Sequence, residues 1–175
     1  QLLARKQNLD REQTNNVNII RRSGEHLLTL INDVLDMSKI EAGRTTLNDR
    51  DFDVYRMLED VVNMFRLKTD EKSIELRFER SSDLPRHITT DEVKLRQILI
   101  NLLGNAIKFT QHGHVILHVA PLLEQQNNEQ SSFVTCQFSI SDTGPGIAAE
   151  EIDTLFEPFV QTSSGRAAWE GTGLG

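Results

Sequence analysis

The sequence predicts a mixed α/β domain preceded by a long amphipathic helix. Residues 11–42 contain no proline and carry apolar side chains at helical spacing, and beyond Gly43 helical and strand patterns alternate. Two glycine clusters come late in the chain. Since 175 residues suffice for one domain with an attached helical segment, we assign residues 1–44 to the helical part and residues 45–175 to the α/β domain.

The composition is that of a folded protein, with 38% hydrophobic and 26% charged residues. The net charge of -7 argues against a broad nucleic-acid or anionic-membrane surface. No apolar run approaches the roughly 18 residues of a membrane span, and no leader opens the chain, so we expect a cytoplasmic segment whose parent protein could carry an anchor elsewhere. Cys136 is the single cysteine, which excludes an internal disulfide and indicates a small core thiol.

The long helix carries two apolar stripes. One is a heptad seam with alternating spacings of three and four, formed by Ile20, Ser23, Leu27, Leu30, Val34 and Met37. The other is formed by Leu28, Ile31 and Leu35 and makes the apolar face wide enough for a helical bundle. We therefore expect a helical hairpin that dimerises; the alternative is a lone helix packed on its own domain.

The ends of this helix have recognisable signals. Asp10 is the expected N-cap and Gly43 the expected stop, and residues 1–8 resemble the end of a preceding helix. The α/β part then contains alternating elements, predicted as a short strand at 46–47, a helix at 54–69, a strand at 74–78, a helix at 91–109, and strands at 114–120 and 133–141 joined by a polar hairpin loop at 124–130.

The helix predicted at 91–109 combines a core face with a polar stripe. The core face is predicted to contain Leu95, Ile98, Leu99, Leu102 and Ala106. Asn101, Asn105 and Lys108 follow one another at i, i+4 and i+7 on another side. Amide oxygens and a cation suit a site for Mg²⁺ and phosphate, although a solvated polar face explains the same stripe.

Two glycine clusters add to this pattern. Asp142 directly follows the strand predicted at 133–141, and Gly144, Gly146 and Ile147 come after it. A carboxylate able to accept from an exocyclic amine thus precedes a loop open to close backbone approach. Residues 171–175 form an expected anion nest, with a spacing that fits neither a Walker A loop nor a Rossmann fingerprint. Between the clusters, residues 155–159 resemble the anchor of a lid.

These motifs, in their order, resemble the N, G1, F and G2 boxes of sensor histidine kinases. Residues 24–43 are similar to the second helix of that family's dimerisation and histidine-phosphotransfer hairpin. The resemblance is closest to hybrid-type two-component kinases. It implies a GHKL-type ATP-binding sandwich, a mixed sheet packed on helices, preceded by a long helix of a dimeric four-helix bundle.

The resemblance also implies roles for individual residues. Asp142 would bind the adenine amine of ATP, with Gly144 and Gly146 shaping its loop, while Asn105 would ligate Mg²⁺ and Lys108 would touch phosphate. The remaining positions implied to line the ATP site are Asn101, Phe109, Ile147, Phe156, Phe159, Gly171, Thr172, Gly173, Leu174 and Gly175. ATP-hydrolysing relatives carry a water-activating Glu at the position of Asn101, and because an amide cannot act as that base, phosphoryl transfer is favoured over hydrolysis.

The phosphoacceptor histidine of the family has no match in this chain. His26 is followed by Leu and lies in the second helix of the hairpin, so we expect the acceptor on a helix preceding Gln1, and further elements after Gly175. The expected partners are a second copy of the chain and a response-regulator receiver domain, without nucleic acid or direct membrane contact. The open alternatives are a nucleotide-binding and dimerisation module without kinase activity, and an ATP-hydrolysing GHKL relative.

Three nearby histidines suggest a separate metal site. They are His112, His114 and His118. No cysteine or carboxylate stands beside them in sequence, so we favour a turn followed by one face of a strand.

Overall fold

The computed structural model describes residues 11–43, 46–122 and 134–155. The elements in order are α1 (Arg11–Glu41), β1 (Arg50–Asp53), α2 (Val54–Lys72), β2 (Ile74–Arg80), β3 (His87–Thr90), α3 (Glu92–Phe109), β4 (Gly113–Pro121), β5 (Cys136–Asp142) and α4 (Ala149–Ile152). Mixed α/β architecture is thus confirmed. None of the helices in the described ranges combines the length and apolar character that crossing a membrane requires.

The chain divides into two compact units. Residues 47–150 form one of them, and α1 belongs to the other. The division predicted between residues 44 and 45 stays a prediction, because both residues lie outside the described part of the chain.

Helix α1 has the extent that its sequence predicts. It ends where Gly43 adopts a left-handed φ of 63° and donates its backbone N–H to the carbonyl of Ile40 at 2.9 Å. Apolar side chains from both predicted stripes remain exposed, including Ile20, Leu27, Leu28, Ile31, Val34 and Leu35. Asp10, the predicted N-cap, lies outside the described residues.

The larger unit contains two sheets. In the three-stranded sheet, β4 is central, with β2 parallel on one side and β5 antiparallel on the other. In the two-stranded sheet, β1 pairs antiparallel with β3. The loop predicted at 124–130 between β4 and β5 lies outside the described residues. The antiparallel pairing of β4 with β5 confirms the prediction that these two strands are adjacent.

Two helices cover the three-stranded sheet. Alternate residues of β4 are fully buried, and they belong to one hydrophobic core with apolar residues of α2 and α3. The largest fully buried side chains of this core are Met57, Leu58, Leu99, Leu103, Ile107 and Leu117. Helix α2 starts at the N-cap Asp53, whose side chain accepts from the backbone of Arg56, and ends at the left-handed Ser73.

The prediction of the first strand was wrong, and one strand was missed. No strand forms at 46–47; the first strand is β1, three residues later, and its partner β3 was not predicted. Both strands are short, and β1 has a single apolar residue, Phe52. Backbone hydrogen bonds hold the two strands together, so their residues need not show the alternation of apolar side chains by which a strand is predicted.

The predicted core face of α3 was partly wrong. Leu99 and Ala106 are buried as expected, but Ile98 and Leu102 are exposed by 54% and 47%. Leu103 and Ile107 are buried in their place. The helix is apolar on more than one side, so the spacing alone could not identify the stripe that meets the sheet.

Candidate nucleotide-binding site

Helix α3 is anchored firmly at its start, away from the predicted site. The Asp91 carboxylate accepts from the ammonium of Lys94 at 2.9 Å and from the backbone N–H groups of Asn48 and Lys94 at 3.0 and 3.1 Å. The bond from Lys94, followed by these backbone bonds, holds the pKa of Asp91 well below its usual range. This cap fixes the position of the helix whose opposite end carries the predicted polar stripe.

The polar stripe of α3 is open. Asn101 and Asn105 are exposed one turn apart, and neither amide is engaged by another described residue. The ammonium of Lys108 lies 5.0 Å from the ring centroid of Phe109 and forms no ion pair within the described ranges. Two neutral amides and one cation are therefore available to a ligand over the last turns of α3.

Asp142 ends β5 and begins the first glycine loop. Its Oδ1 accepts the backbone N–H of Gly144 at 2.8 Å, which holds the carboxylate in one orientation. Since no described residue donates to Oδ2, that oxygen can accept a hydrogen bond from a ligand.

The glycine loop touches the end of α3. A Cβ on Gly144 would lie 2.8 Å from Asp142 Oδ1 and 3.3 Å from the carbonyl oxygen of Phe109, so only a glycine fits without a shift. Gly146 has φ of 73°, in the left-handed region that favours glycine. Close approach at Gly144 brings Asp142 and Lys108 to the same end of the unit.

Thr143 ties this loop to the turn before β4. Its hydroxyl oxygen accepts the backbone N–H of His114 at 3.0 Å and can donate to the carbonyl of His112 at 3.2 Å. Gly113 has φ of 108°, and a Cβ there would collide with the Thr143 hydroxyl. The turn and the loop thus fix each other.

Lys72, the last residue of α2, is hydrogen-bonded to the end of α3. Its ammonium donates to the carbonyls of Ile107 and Lys108 at 2.8 and 3.0 Å. These carbonyls belong to the last turn of α3, where backbone acceptors have no partner within the helix.

Part of the predicted site is thereby assembled in one place. Asn101, Asn105 and Lys108 lie on α3, and the Asp142 loop with Gly144 meets the end of that helix beside Phe109. Ile147 is 46% exposed beyond the loop. The remaining predicted positions fall outside the described residues: Phe156, Phe159, Gly171, Thr172, Gly173, Leu174 and Gly175.

Two contributors were missed by sequence reasoning. Thr143 lies inside the first glycine motif, so its position offered a signal that was overlooked. Lys72 offered none, because its two acceptors on α3 are 35 and 36 residues away in the chain.

A divalent cation would need ligands from outside the side chains seen here. No group of three or more His, Cys, Asp or Glu residues that could hold a metal occurs within the described ranges, which include His112, His114 and His118. A cation held by nucleotide phosphates together with the amide oxygen of Asn105 fits this donor set, because phosphates supply most of the oxygens that Mg²⁺ takes in such sites.

Two family models match the chain. Residues 1–43 match the His Kinase A (phospho-acceptor) domain, and residues 90–175 match the histidine kinase-, DNA gyrase B- and HSP90-like ATPase. The second range contains the polar stripe and both glycine clusters.

Individual proteins agree with the models. The autoinducer 2 sensor kinase/phosphatase LuxQ of Vibrio parahaemolyticus is 41% identical over 94% of this chain and 19% of its own length. The crystal structure of full-length ShkA in complex with AMPPNP has a TM-score of 0.74 and 36% identity, covering 98% of this chain and 34% of that one. For the Acinetobacter baumannii histidine kinase AdeS the TM-score is 0.66 at 26% identity, covering 95% and 75%.

The chain spans about a fifth of the length of the curated relatives it matches. Within that span, the phospho-acceptor model is followed by the ATPase model in the order that the sequence motifs predict. The chain therefore belongs to the histidine kinase family.

Proposed function

We propose that this chain is the ATP-binding and dimerisation part of a sensor histidine kinase, which transfers the γ-phosphoryl group of ATP to a histidine on a preceding helix. The observation that carries the proposal is the close contact between the Gly144 loop and the end of α3. It joins a carboxylate with an available oxygen, on Asp142, to a stripe of two unengaged amides and a cation.

Each group has a role in this proposal. Asp142 Oδ2 accepts from the adenine amine, and the oriented carboxylate gives selectivity for that base. Lys108 leaves the face of Phe109 to contact phosphate, and Asn105 holds Mg²⁺ through its amide oxygen. The cation supplies charge neutralisation for the phosphates when it is bound.

The reaction requires no base from the amide stripe. A nitrogen of the acceptor imidazole forms a bond to the γ-phosphorus, the bond to the β,γ-bridging oxygen breaks, and ADP leaves. Asn101 cannot accept a proton from water, so hydrolysis lacks its activating group. Positioning and electrostatic stabilisation supply the catalysis, as is general for phosphoryl transfer.

The proposed function implies two partners. The exposed apolar side chains of α1 supply the face for pairing with a second copy in a helical bundle. The phosphohistidine then passes its phosphoryl group to an aspartate of a response-regulator receiver domain. We place the reaction in the cytoplasm, where ATP is available.

Phosphorylation of a longer chain tests this function. We would extend the chain upstream through the preceding helix, incubate it with ATP labelled at the γ-phosphate and Mg²⁺, and measure label that is stable in alkali and labile in acid, as a phosphoramidate is. The proposal predicts such label, its loss in Asn105→Ala, and its transfer to a receiver domain.

Two results would support the alternatives instead. ATP binding without label would indicate a binding and dimerisation module. Steady phosphate release that depends on Asn105, without a labelled protein, would indicate an ATP-hydrolysing relative.

A further inference from the structure

The ammonium of Lys72 lies at the negative end of the helix that carries the candidate site. It donates to the carbonyls of Ile107 and Lys108 at 2.8 and 3.0 Å. Lys72 is half-buried between α2 and α3, so its charge is held beside these two carbonyls and is only partly screened by water.

The end of α3 is unfavourable for an anion. The last four carbonyls of a helix lack intrahelical partners and carry a partial negative charge of about half an electron. Within the described part of the chain, the backbone after α3 takes only the carbonyl of Ala106, through the N–H of Thr110. The carbonyls of Ile107 and Lys108 come next, at the same turn as the cation assigned to phosphate.

We propose that Lys72 is a positioning residue that neutralises this end of α3 and thereby favours the binding of nucleotide phosphates without touching them. The inference rests on the proposed function, because it needs a nucleotide over the last turns of α3. It goes further by assigning part of the phosphate affinity to a residue of α2 that bonds to the end of α3.

A merely structural role for Lys72 would have a different signature. If its two hydrogen bonds only hold the end of α3 in place, losing them also disturbs the contact between Phe109 and the Gly144 loop and weakens adenosine as well as ATP. If its charge matters, the loss grows with the number of phosphates on the ligand and vanishes for the uncharged nucleoside.

The chain provides variants that separate these roles. Lys72→Met removes both the charge and the hydrogen bonds, Lys72→Gln removes the charge but keeps a donor, and Lys72→Arg keeps both. Lys68→Met is the matched control: Lys68 is exposed one turn earlier on α2 and has no ion pair or hydrogen bond with a described residue.

The experiment measures the affinities of adenosine, AMP, ADP and ATP for these variants at one Mg²⁺ concentration. Calorimetry serves for the tight ligands and NMR chemical-shift titration for the weak ones, with far-UV circular dichroism to confirm folding. We expect Lys72→Met and Lys72→Gln to weaken ATP by about threefold to tenfold, ADP and AMP progressively less, and adenosine by less than about twofold. Lys72→Arg should bind as the wild type does, and Lys68→Met should weaken ATP by less than about twofold.

Three results would overturn the inference. An equal loss for adenosine and ATP in folded Lys72→Gln would assign Lys72 a structural role. A graded loss of the same size in Lys68→Met would assign the effect to net charge. A folded wild-type chain that binds none of the four ligands would refute the proposed function itself. Because that result concerns the wild type, it is distinct from any effect of the Lys72 variants.

Discussion

The candidate site depends on a close approach at Gly144 that an added Cβ would disturb. A Cβ at position 144 would meet Asp142 Oδ1 at 2.8 Å and the backbone of Phe109 at 3.3 Å. Relief of that contact moves the carboxylate or separates the loop from α3, and either change breaks the arrangement on which adenine binding would rest.

Gly144→Ala should therefore abolish nucleotide binding while leaving the chain folded. The control is Gly104→Ala on α3, where a Cβ would approach nothing nearer than 3.9 Å, the ring of Phe65. Gly104→Ala should leave binding intact and be neutral or stabilising by about 0.5–1 kcal/mol, as for alanine in a helix interior. Calorimetric binding and urea unfolding measure the two effects, and undiminished binding by Gly144→Ala would contradict this view of the loop.

Asp91 makes the stability of the larger unit sensitive to acid. Its pKa is lowered in the folded state, so the stabilisation it gives is present above the unfolded-state pKa of about 3.9 and is lost as pH falls through that value toward the folded pKa. Unfolding free energy measured in urea should thus fall as pH drops below about 4, and the fall should be smaller in Asp91→Asn. Asp60→Asn, an exposed position on α2, is the control and should keep the wild-type profile.

At the element scale, the turn before β4 and the first glycine loop form one structural piece. Thr143 bonds to the backbone of His112 and His114, and Gly113 adopts a φ of 108° against the Thr143 side chain. The piece connects the strand that ends at Asp142 to the strand that follows α3.

Gly113→Ala should destabilise the unit by about 1–3 kcal/mol, because a non-glycine residue is strained at this φ and its Cβ collides with Thr143. Thr143→Ala removes the hydroxyl that the added Cβ would meet, so it loses hydrogen bonds by itself but should partly rescue Gly113→Ala. Thermal or urea unfolding of the single and double variants gives the coupling. Strict additivity would show that the two residues do not act together.

The sequence was most informative about elements with strong periodicity. Helices α1, α2 and α3 were predicted nearly to their ends. The spacing of their apolar residues and their capping residues lie within or next to each helix in the sequence. The strands β1 and β3 were missed because each is specified by the other. Their paired residues are 34 to 40 positions apart in the chain, from Asp53 with His87 to Arg50 with Thr90.

The candidate site was predictable only as a set of residue types. The motifs identified Asn105, Lys108 and Asp142, but the contact that joins them requires the backbone of Phe109 to meet Gly144. Lys72 reaches α3 from the end of another helix, a proximity that no local pattern encodes. The exposed Ile98 and Leu102 show likewise that the sheet, rather than the spacing, selects the buried stripe of α3.

At the scale of the whole molecule, α1 presents an apolar face that a monomer would leave in water. Leu27 and Leu28 are exposed by 57% and 63%, and Val34 by 45%. A monomeric protein seldom leaves a contiguous apolar stripe of this kind uncovered, so we expect two copies to pair through it.

Leu27→Asp should shift the chain from dimer to monomer, because it places a charge in the heptad seam. Asn18→Asp adds the same charge to an exposed position of α1 off the seam and should leave the dimer intact. Sedimentation equilibrium over a range of concentrations measures both. A wild-type chain that stays monomeric at high concentration would contradict pairing through α1.

The nucleotide site is tested by calorimetric titration of a non-hydrolysable ATP analogue into this chain, with and without Mg²⁺. The variants are Asp142→Ala and Asn105→Ala, with Asp60→Ala as an exposed acidic control on α2. We predict binding by the wild type and the control, loss of binding in Asp142→Ala, and weaker binding that no longer responds to Mg²⁺ in Asn105→Ala. A folded wild-type chain without affinity for the analogue, or equal affinity in Asp142→Ala, would contradict the assignment of this site.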